Sequence, residues 1–510
     1  MSDAVVLLHR DDDVAVATRD VAAGSAVSTE SRTLTTRSDI PRGHKIAVRD
    51  IPAGAAVRKY GQPIGIATSA ICAGEHVHTH NLGMPDGSHD LTVGSAATAT
   101  TSGRVSAEVP TFDGIRRPDG RPATRNYLLV LSTVNCSATV AKRIAAQAEA
   151  RGLLDEANGV DGIFALTHST GCGMASDGDG MAMLRRSLAG YAHHPNVGGV
   201  LVMGLGCEVN QVSALSADLH LPAHVPVRAM TIQELGGSPA AVRAGLTQVE
   251  QMLGEMQNVR RAPMPVSELV LGLQCGGSDG WSGLTANPAL GVASDLLVEY
   301  GGTSILGETP EIYGAEHLLL QRAVSDEVGQ RLIDRIRWWE RYTADNGGSM
   351  DNNPSPGNKA GGLTTILEKS LGAVAKAGRS PLREVYEYGE PVSERGLVFM
   401  DTPGYDPVSV TGMVAGGANI VCFTTGRGSV FGCKPVPSLK LATNSDVYRR
   451  MPEDMDIDCG TIVEQGESLD AAGARIFQRM IETASGRPTA SEELGFGDEE
   501  FVPWQLGAVM

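Results

Sequence analysis

The chain is short of several things, and each shortage excludes something. Phe, Trp and Tyr make up only 4% of its 510 residues, so the core has to be built from aliphatic side chains and close backbone contacts. No run of about 18 apolar residues occurs, which excludes a membrane-spanning helix. Basic charge is scarce: 42 Lys and Arg stand against 59 Asp and Glu, a net charge of −17. Nucleic acid needs a basic face, so no nucleic-acid partner is expected, whereas a small anionic substrate needs only a locally basic pocket. There is no GxGxxG in a strand–helix setting and no GxxxxGK[ST], which argues against NAD, FAD and a P-loop nucleotide. The opening "MSDAVVLLHRDDD" lacks the basic and apolar regions of a secretion signal, and a cytoplasmic location is expected. There, eight cysteines are expected to be buried, catalytic or metal-binding rather than disulfide-bonded.

What is present begins with glycine, 62 residues of it. An apolar-x-x-Gly-x-x-apolar pattern recurs as "VAAGSAV" (21–27), "IPRGHKI" (40–46), "IPAGAAV" (51–57) and "ICAGEHV" (71–77). Gly24, Gly43, Gly54 and Gly74 each suit the φ > 0 position of a turn between short strands, which predicts a small folded-over β module across 1–86. The second copy carries His44 and Lys45. The fourth runs into "HVHTHN", where His76, His78 and His80 alternate and would share one face of a strand. A Ser/Thr/Ala/Gly-rich stretch then predicts a linker over 87–110. Beyond it, continuous apolar strands alternate with helical patterns. "YLLVLSTVNC" (127–136), "GIFAL" (162–166), "GGVLVMGLGC" (198–207) and "VPVRAMTI" (225–232) predict a first α/β domain over 111–265. "ELVLGLQC" (268–275), "TSILGE" (303–308), "GLVFMDT" (396–402) and "NIVCFTT" (419–425) predict a second over 266–510, with an unstructured Asn/Pro/Gly loop at 347–362.

Four cysteines share one setting. Cys136, Cys172, Cys207 and Cys275 each follow a predicted strand, and ligands of doubly wound sheets bind beyond the carboxyl ends of strands. Singly each reads as a small buried hydrophobe; together they read as soft-metal ligands or a reactive thiol set facing one cleft. Cys72, Cys422, Cys433 and Cys459 lack this pattern and read as structural. His168 and Glu208 stand beside the set, as ligands or proton-transfer groups on one reading and as a satisfied histidine and a first-turn acid on the other. His44 and Lys45 after a turn glycine suit proton transfer or carboxylate binding. Arg427 in "TTGRGS" suits an anion cradle. Asn358 and Lys359 lie on the long loop, and Ser278 and Asp279 follow Cys275. These complete the candidates for substrate binding and catalysis.

"RGHKIAV", "GEHVHTHN", "DGRPATRNYLLVLSTVNC", "THSTGCG", "VMGLGCEVNQ", "LQCGGSDGWSGLTANPALG", "ETPEIYGAEHLL", "NPSPGNKAGGLTTILEKSLG" and "FTTGRGS" together resemble the altronate/galactarate dehydratase family, from about residue 5 to about residue 490. The resemblance implies an α/β chain: an N-terminal SAF-type β-clip module followed by two α/β domains with mainly parallel sheets. It also implies β-elimination of water from a sugar acid, of the altronate type, to a 2-keto-3-deoxy acid. The cofactor it implies is an iron-type divalent metal; a cysteine-lined site suits Fe2+, mononuclear or in an iron–sulfur cluster, with Mn2+ as an alternative occupant. Galactarate dehydration and a sulfolactate-type sulfo-lyase are the neighbouring readings, and an iron–sulfur redox protein is one of a different class. Assembly into a homo-oligomer is expected. Proton transfer falls to His44 or His168, then Lys359, with Glu208 as a further candidate. Substrate binding falls to Lys45, Arg427, Asn358, Ser278 and Asp279.

Overall fold

The computed structural model describes residues 4–29, 32–85, 91–94, 108–154 and 158–507. In the N-terminal β module the glycine repeats pair with one another. Val21 bridges Ile40, and Ile51 bridges Ile71. Gly24, Gly43, Gly54 and Gly74 sit at φ between +80° and +89°, as the turn reading requires. Strands Val5–Val6, Val14–Ala17, Lys45–Ala47 and His76–Val77 form one antiparallel sheet; Ala56–Lys59, Gln62–Ala67 and Leu82–Gly83 form another. The register places Lys45 opposite Val77 and Ile46 opposite His76, which carries His44 toward His78. The predicted alternation of the three histidines along a strand does not occur: the strand stops at Val77 and a turn holds His78 and His80.

The first α/β unit is a four-stranded parallel sheet in the order Gly162–Leu166, Tyr127–Ser132, Val197–Gly204, Val227–Thr231. Helices Asn135–Ala150 and Ser238–Met256 pack on one face around Ile144, Leu246 and Met252. Helix Asp179–His193 covers the other face. That second face is not separate from the rest of the chain. Its cluster runs on through Leu184 and Tyr191 to Val398, Met413 and Val421, so the two α/β units share one apolar core.

The second unit has seven strands, all parallel, in the order Leu382–Tyr386, Gly396–Met400, Thr303–Leu306, Val270–Cys275, Ile420–Thr425, Ser438–Ala442, Ile457–Asp458. The chain enters at Val270–Cys275, adds Thr303–Leu306 and the edge strand Leu382–Tyr386, fills the place between them with Gly396–Met400, and then builds outward on the other side. The carboxyl ends of Val270–Cys275 and Ile420–Thr425 therefore flank the switch point, where this architecture opens a cleft. The β module caps that edge: Val57, Ile64 and Leu82 join the same buried cluster as Leu371 and Val374 of helix Ile366–Val374. The long loop is not structureless, because Ser355 and Asn358 form a capping box that starts the short helix Pro356–Ala360. Of the predicted linker, residues 87–90 and 95–107 lie outside the described residues. Leu91 and Val93 pack against the core of the second unit, and the Gly94 N–H reaches the Leu320 carbonyl at 3.4 Å. Among the described residues no helix is long and apolar enough to cross a membrane.

Candidate active site

The seam between the β module and the carboxyl edge of the seven-stranded sheet gathers most of the chemistry-bearing side chains. Four imidazoles meet there. His44 lies 5.1 Å from His76 and 5.0 Å from His78 between ring centroids, and His76 lies 5.3 Å from His78 and 5.5 Å from His80. Burial pushes His44 down to about 4 and His76 down to about 3, and lowers His78 as well, so all three are neutral at pH 7. His44 Nδ1 stands 3.0 Å from His76 Nε2. His78 Nε2 lies 3.0 Å from the Lys359 carbonyl, which can only accept, so Nε2 carries the hydrogen and Nδ1 keeps its lone pair.

Beneath the histidines lies an ion triad. Lys45 Nζ donates to Glu368 at 2.9 and 3.1 Å and to the Gly362 carbonyl at 2.6 Å; Lys59 Nζ donates to Glu368 at 2.9 Å. All three side chains are fully buried. Burial pushes Glu368 up, but the two ammonium groups and the Thr364 hydroxyl overcome it and hold the carboxyl well below its usual range. Two cations share one carboxylate, and burial brings Lys45 down to about 8.

A second buried cluster stands behind the neighbouring strand ends. Lys376 Nζ is 2.8 Å from Cys275 Sγ and 3.4 Å from Glu308. Gln274 donates to Glu308 at 2.7 Å, and Lys369 to Glu311 at 2.6 Å. Burial, then the nearby Glu311, push Glu308 up to about 8, and burial pushes Cys275 up to about 11. Glu308 adopts φ +67°, a left-handed conformation rare for a side chain of its kind. Cys275, Glu308 and Glu311 bring ligand atoms within 4.8 Å of one another, yet the two lysines already supply the opposing charge. Sequence reasoning missed this cluster and Glu368. The available signal was a helix of otherwise apolar composition, "ILEKSLGAV", carrying two charges that had to be paired if it was buried.

Several expectations need correction. The four cysteines do not converge. Cys136, Cys172 and Cys207 are exposed on the four-stranded sheet, whereas Cys275 is buried on the seven-stranded one against Lys376. Lys45 is no substrate ligand, because its ammonium is spent on Glu368 and Gly362. Asp279 is likewise filled: it accepts from Ser282, Thr443, Asn444 and the Trp281 N–H. Asn358 caps its helix and donates to the Ser278 carbonyl at 2.8 Å, which ties the long loop to the Ser278 loop. His168 lies in the first α/β unit, with Nε2 on the Ser132 carbonyl at 3.1 Å and Nδ1 facing Thr170, so neither nitrogen is available as a base. Glu208 accepts from Thr133 at 2.7 Å and the Gly206 N–H at 2.6 Å, a loop brace rather than a reactive acid. Lys359 and Arg427 are exposed at the rim, on either side of the Ser278–Asn358 contact.

Among the histidines only the pair His44 and His76 has the spacing of two ligands to one ion; the described residues bring no three histidine nitrogens within 4.8 Å of one another. Bonds of about 2.1 Å at right angles put two nitrogens about 3.0 Å apart, the spacing of His44 and His76, and neutral imidazole suits iron and manganese.

The architecture matches known proteins throughout. The SAF domain of altronate/galactarate dehydratase matches residues 3–85. The second domain of D-galactarate dehydratase/altronate hydrolase matches 114–257, and the C-terminal domain of D-galactarate/altronate dehydratase matches 266–509. Altronate dehydratase of Escherichia coli is 38% identical over 96% of this chain and 97% of its own length. The chain belongs to the altronate/galactarate dehydratase family. Altronate dehydratase of Bacillus subtilis is 37% identical over 96% of this chain and 97% of its own, and galactarate dehydratase (L-threo-forming) of E. coli is 37% identical over 90% and 89%. This family member is an enzyme, a hydro-lyase of the sugar-acid dehydratase class.

Proposed function

We propose that the enzyme dehydrates an altronate-type aldonate to a 2-keto-3-deoxy acid with Fe2+ held at His44 and His76. The observation that carries this reading is the set of neutral imidazoles at the seam, His44 buried and His76 and His78 half-buried, with two exposed cations at its rim. The bound ion would act as a Lewis acid on the carboxylate and the adjacent hydroxyl, which lowers the cost of the enolate-like charge that develops when C2 loses its proton. The chain's own groups do the rest. Arg427 attracts the substrate carboxylate into the seam, where a planar guanidinium can engage both oxygens. His78 Nδ1 takes the C2 proton once the Thr79 hydroxyl that faces it at 3.1 Å turns aside, while Nε2 stays pinned as the donor to the Lys359 carbonyl. The C3–O bond breaks, the hydroxyl leaves as water with a proton from the Lys359 ammonium, and the enol product ketonises. The Lys45–Glu368–Lys59 triad holds the β module at its working distance from the long loop.

Altronate is favoured over galactarate because altronate dehydratases match a larger share of this chain. A cytoplasmic setting agrees with eight free cysteines. The test is anaerobic turnover: protein loaded with ferrous iron, given altronate, galactarate and a panel of other sugar acids, with 2-keto-3-deoxy acid as the readout. Turnover of altronate fastest is expected; no keto acid from any of them would end the proposal.

A further inference from the structure

Cysteine is among the most buried residue types, and a chain gains nothing structural from three exposed thiols. Here four of eight cysteines are buried and Cys72 is half-buried, but Cys136, Cys172 and Cys207 are all exposed. They follow three adjacent strands of the four-stranded sheet, at its carboxyl edge: Tyr127–Ser132 lies between Gly162–Leu166 and Val197–Gly204. The loops that carry them are laced together. The Asn135 N–H, one residue from Cys136, donates to the Thr170 carbonyl at 3.0 Å. The Asn210 N–H donates to the Gly171 carbonyl, one residue from Cys172, at 3.0 Å, and the Asn210 side chain donates to the Thr133 carbonyl at 3.1 Å. Gly171, at φ +92°, leaves no room for a side chain: a Cβ there would stand 2.4 Å from the Thr133 carbonyl oxygen. Backbone is thus brought as close as it can be between the loops of Cys136 and Cys172.

We infer that Cys136, Cys172 and Cys207 hold an iron–sulfur cluster, a site separate from the histidines and from Cys275. A single ion is disfavoured, because among the described residues these sulfurs are not part of any trio of ligand atoms within 4.8 Å of one another. A cluster spreads its thiolates over a wider triangle than one ion does, and cysteine thiolates are its usual ligands. Gln233 Nε2 already donates to Cys207 Sγ at 3.5 Å, the kind of hydrogen bond that tunes cluster sulfurs. Cys136 lies in the first turn of helix Asn135–Ala150, whose N-terminus has no side-chain cap and whose dipole favours negative charge at that end. Each thiol loses its proton on ligation, and no electron transfer is needed to assemble the site from ferrous and ferric iron with sulfide. Neither neighbour supplies a fourth protein ligand, because Glu208 and His168 are both satisfied internally. One iron of a four-iron cluster is therefore left without a cysteine of this chain.

The test is anaerobic reconstitution of the full chain with iron salts and sulfide, followed by visible absorption, low-temperature electron paramagnetic resonance after dithionite, and iron and acid-labile sulfide analysis. The expected result is a brown protein with about four irons and four sulfides per chain. Cys136→Ser, Cys172→Ser and Cys207→Ser should each lose at least half of the labile sulfide, while Cys275→Ser keeps it. Circular dichroism of each variant checks the fold. Sulfide content separates this site from iron held by the histidines, and none of these readouts depends on turnover of a sugar acid. A colourless protein without labile sulfide overturns the inference. So does wild-type sulfide content in the triple cysteine variant, or a disulfide found between any two of the three.

Discussion

Replacing Glu368 by Gln removes the carboxylate that, among the described residues, faces two buried ammonium groups, while keeping the shape of the side chain. Lys45 and Lys59 come from the β module and Glu368 from helix Ile366–Val374, all with no exposed side-chain surface. Breaking a buried pair by deleting one partner costs about 3–5 kcal/mol, because an uncompensated charge stays behind. At about 1.4 kcal/mol per decade, that is two to nearly four orders of magnitude in the opening equilibrium of the helix. The assay is amide hydrogen exchange of the residues in Ile366–Val374, which reads local opening without requiring the long chain to unfold in one step. Exchange should speed by roughly a hundredfold to a few thousandfold. Lys59→Met should cost much less, because it leaves one cation on one carboxylate, and it should restore much of the loss when combined with Glu368→Gln. Exchange within about tenfold of wild type in Glu368→Gln, or a larger effect from Lys59→Met, would refute the charge argument.

His76→Ala should abolish tight iron binding at the seam, whereas His78→Gln should keep the iron and lose turnover by about a hundredfold or more; iron analysis beside kcat separates the two. Folding stability should fall on mild acidification. His168 and His194 are held near 4 by burial against 6.5 in the unfolded chain, so the unfolded state takes up protons the native state refuses, and the penalty grows as pH drops from 6.5 toward about 4. Each contributes about 2 kcal/mol by pH 5, measurable as a lower Tm at pH 5 than at pH 7. Glu308 has the opposite sign. Its pKa is raised to about 8, so its burial costs stability as pH rises from about 4.5 to 8, and Glu308→Gln should melt no lower than wild type at pH 8.

Much of this protein was legible before folding. Turn glycines at a fixed spacing announced the β module because a left-handed turn leaves few alternatives to glycine, and all four adopt that conformation. Apolar runs alternating with helical patterns announced parallel sheets because a strand covered on both faces has no polar side to show. Local chemistry, such as histidines after a turn or cysteines after strands, could also be read. Partnership could not. Lys45 read as a substrate ligand and Arg427 as a cradle; the fold buried the first on Glu368, 323 residues away, and left the second at the rim. Four strand-end cysteines looked like one set, yet they sit on two sheets, and Cys275 turned inward to a lysine. A side chain's local setting is written in a few neighbouring residues, whereas its charge partner and its exposure depend on which distant elements the core brings alongside. For this chain the sequence determined the elements and the kinds of group available. Only the tertiary packing decided that four histidines would meet at the β module's seam, and that the expected cysteine quartet would be divided between two sheets.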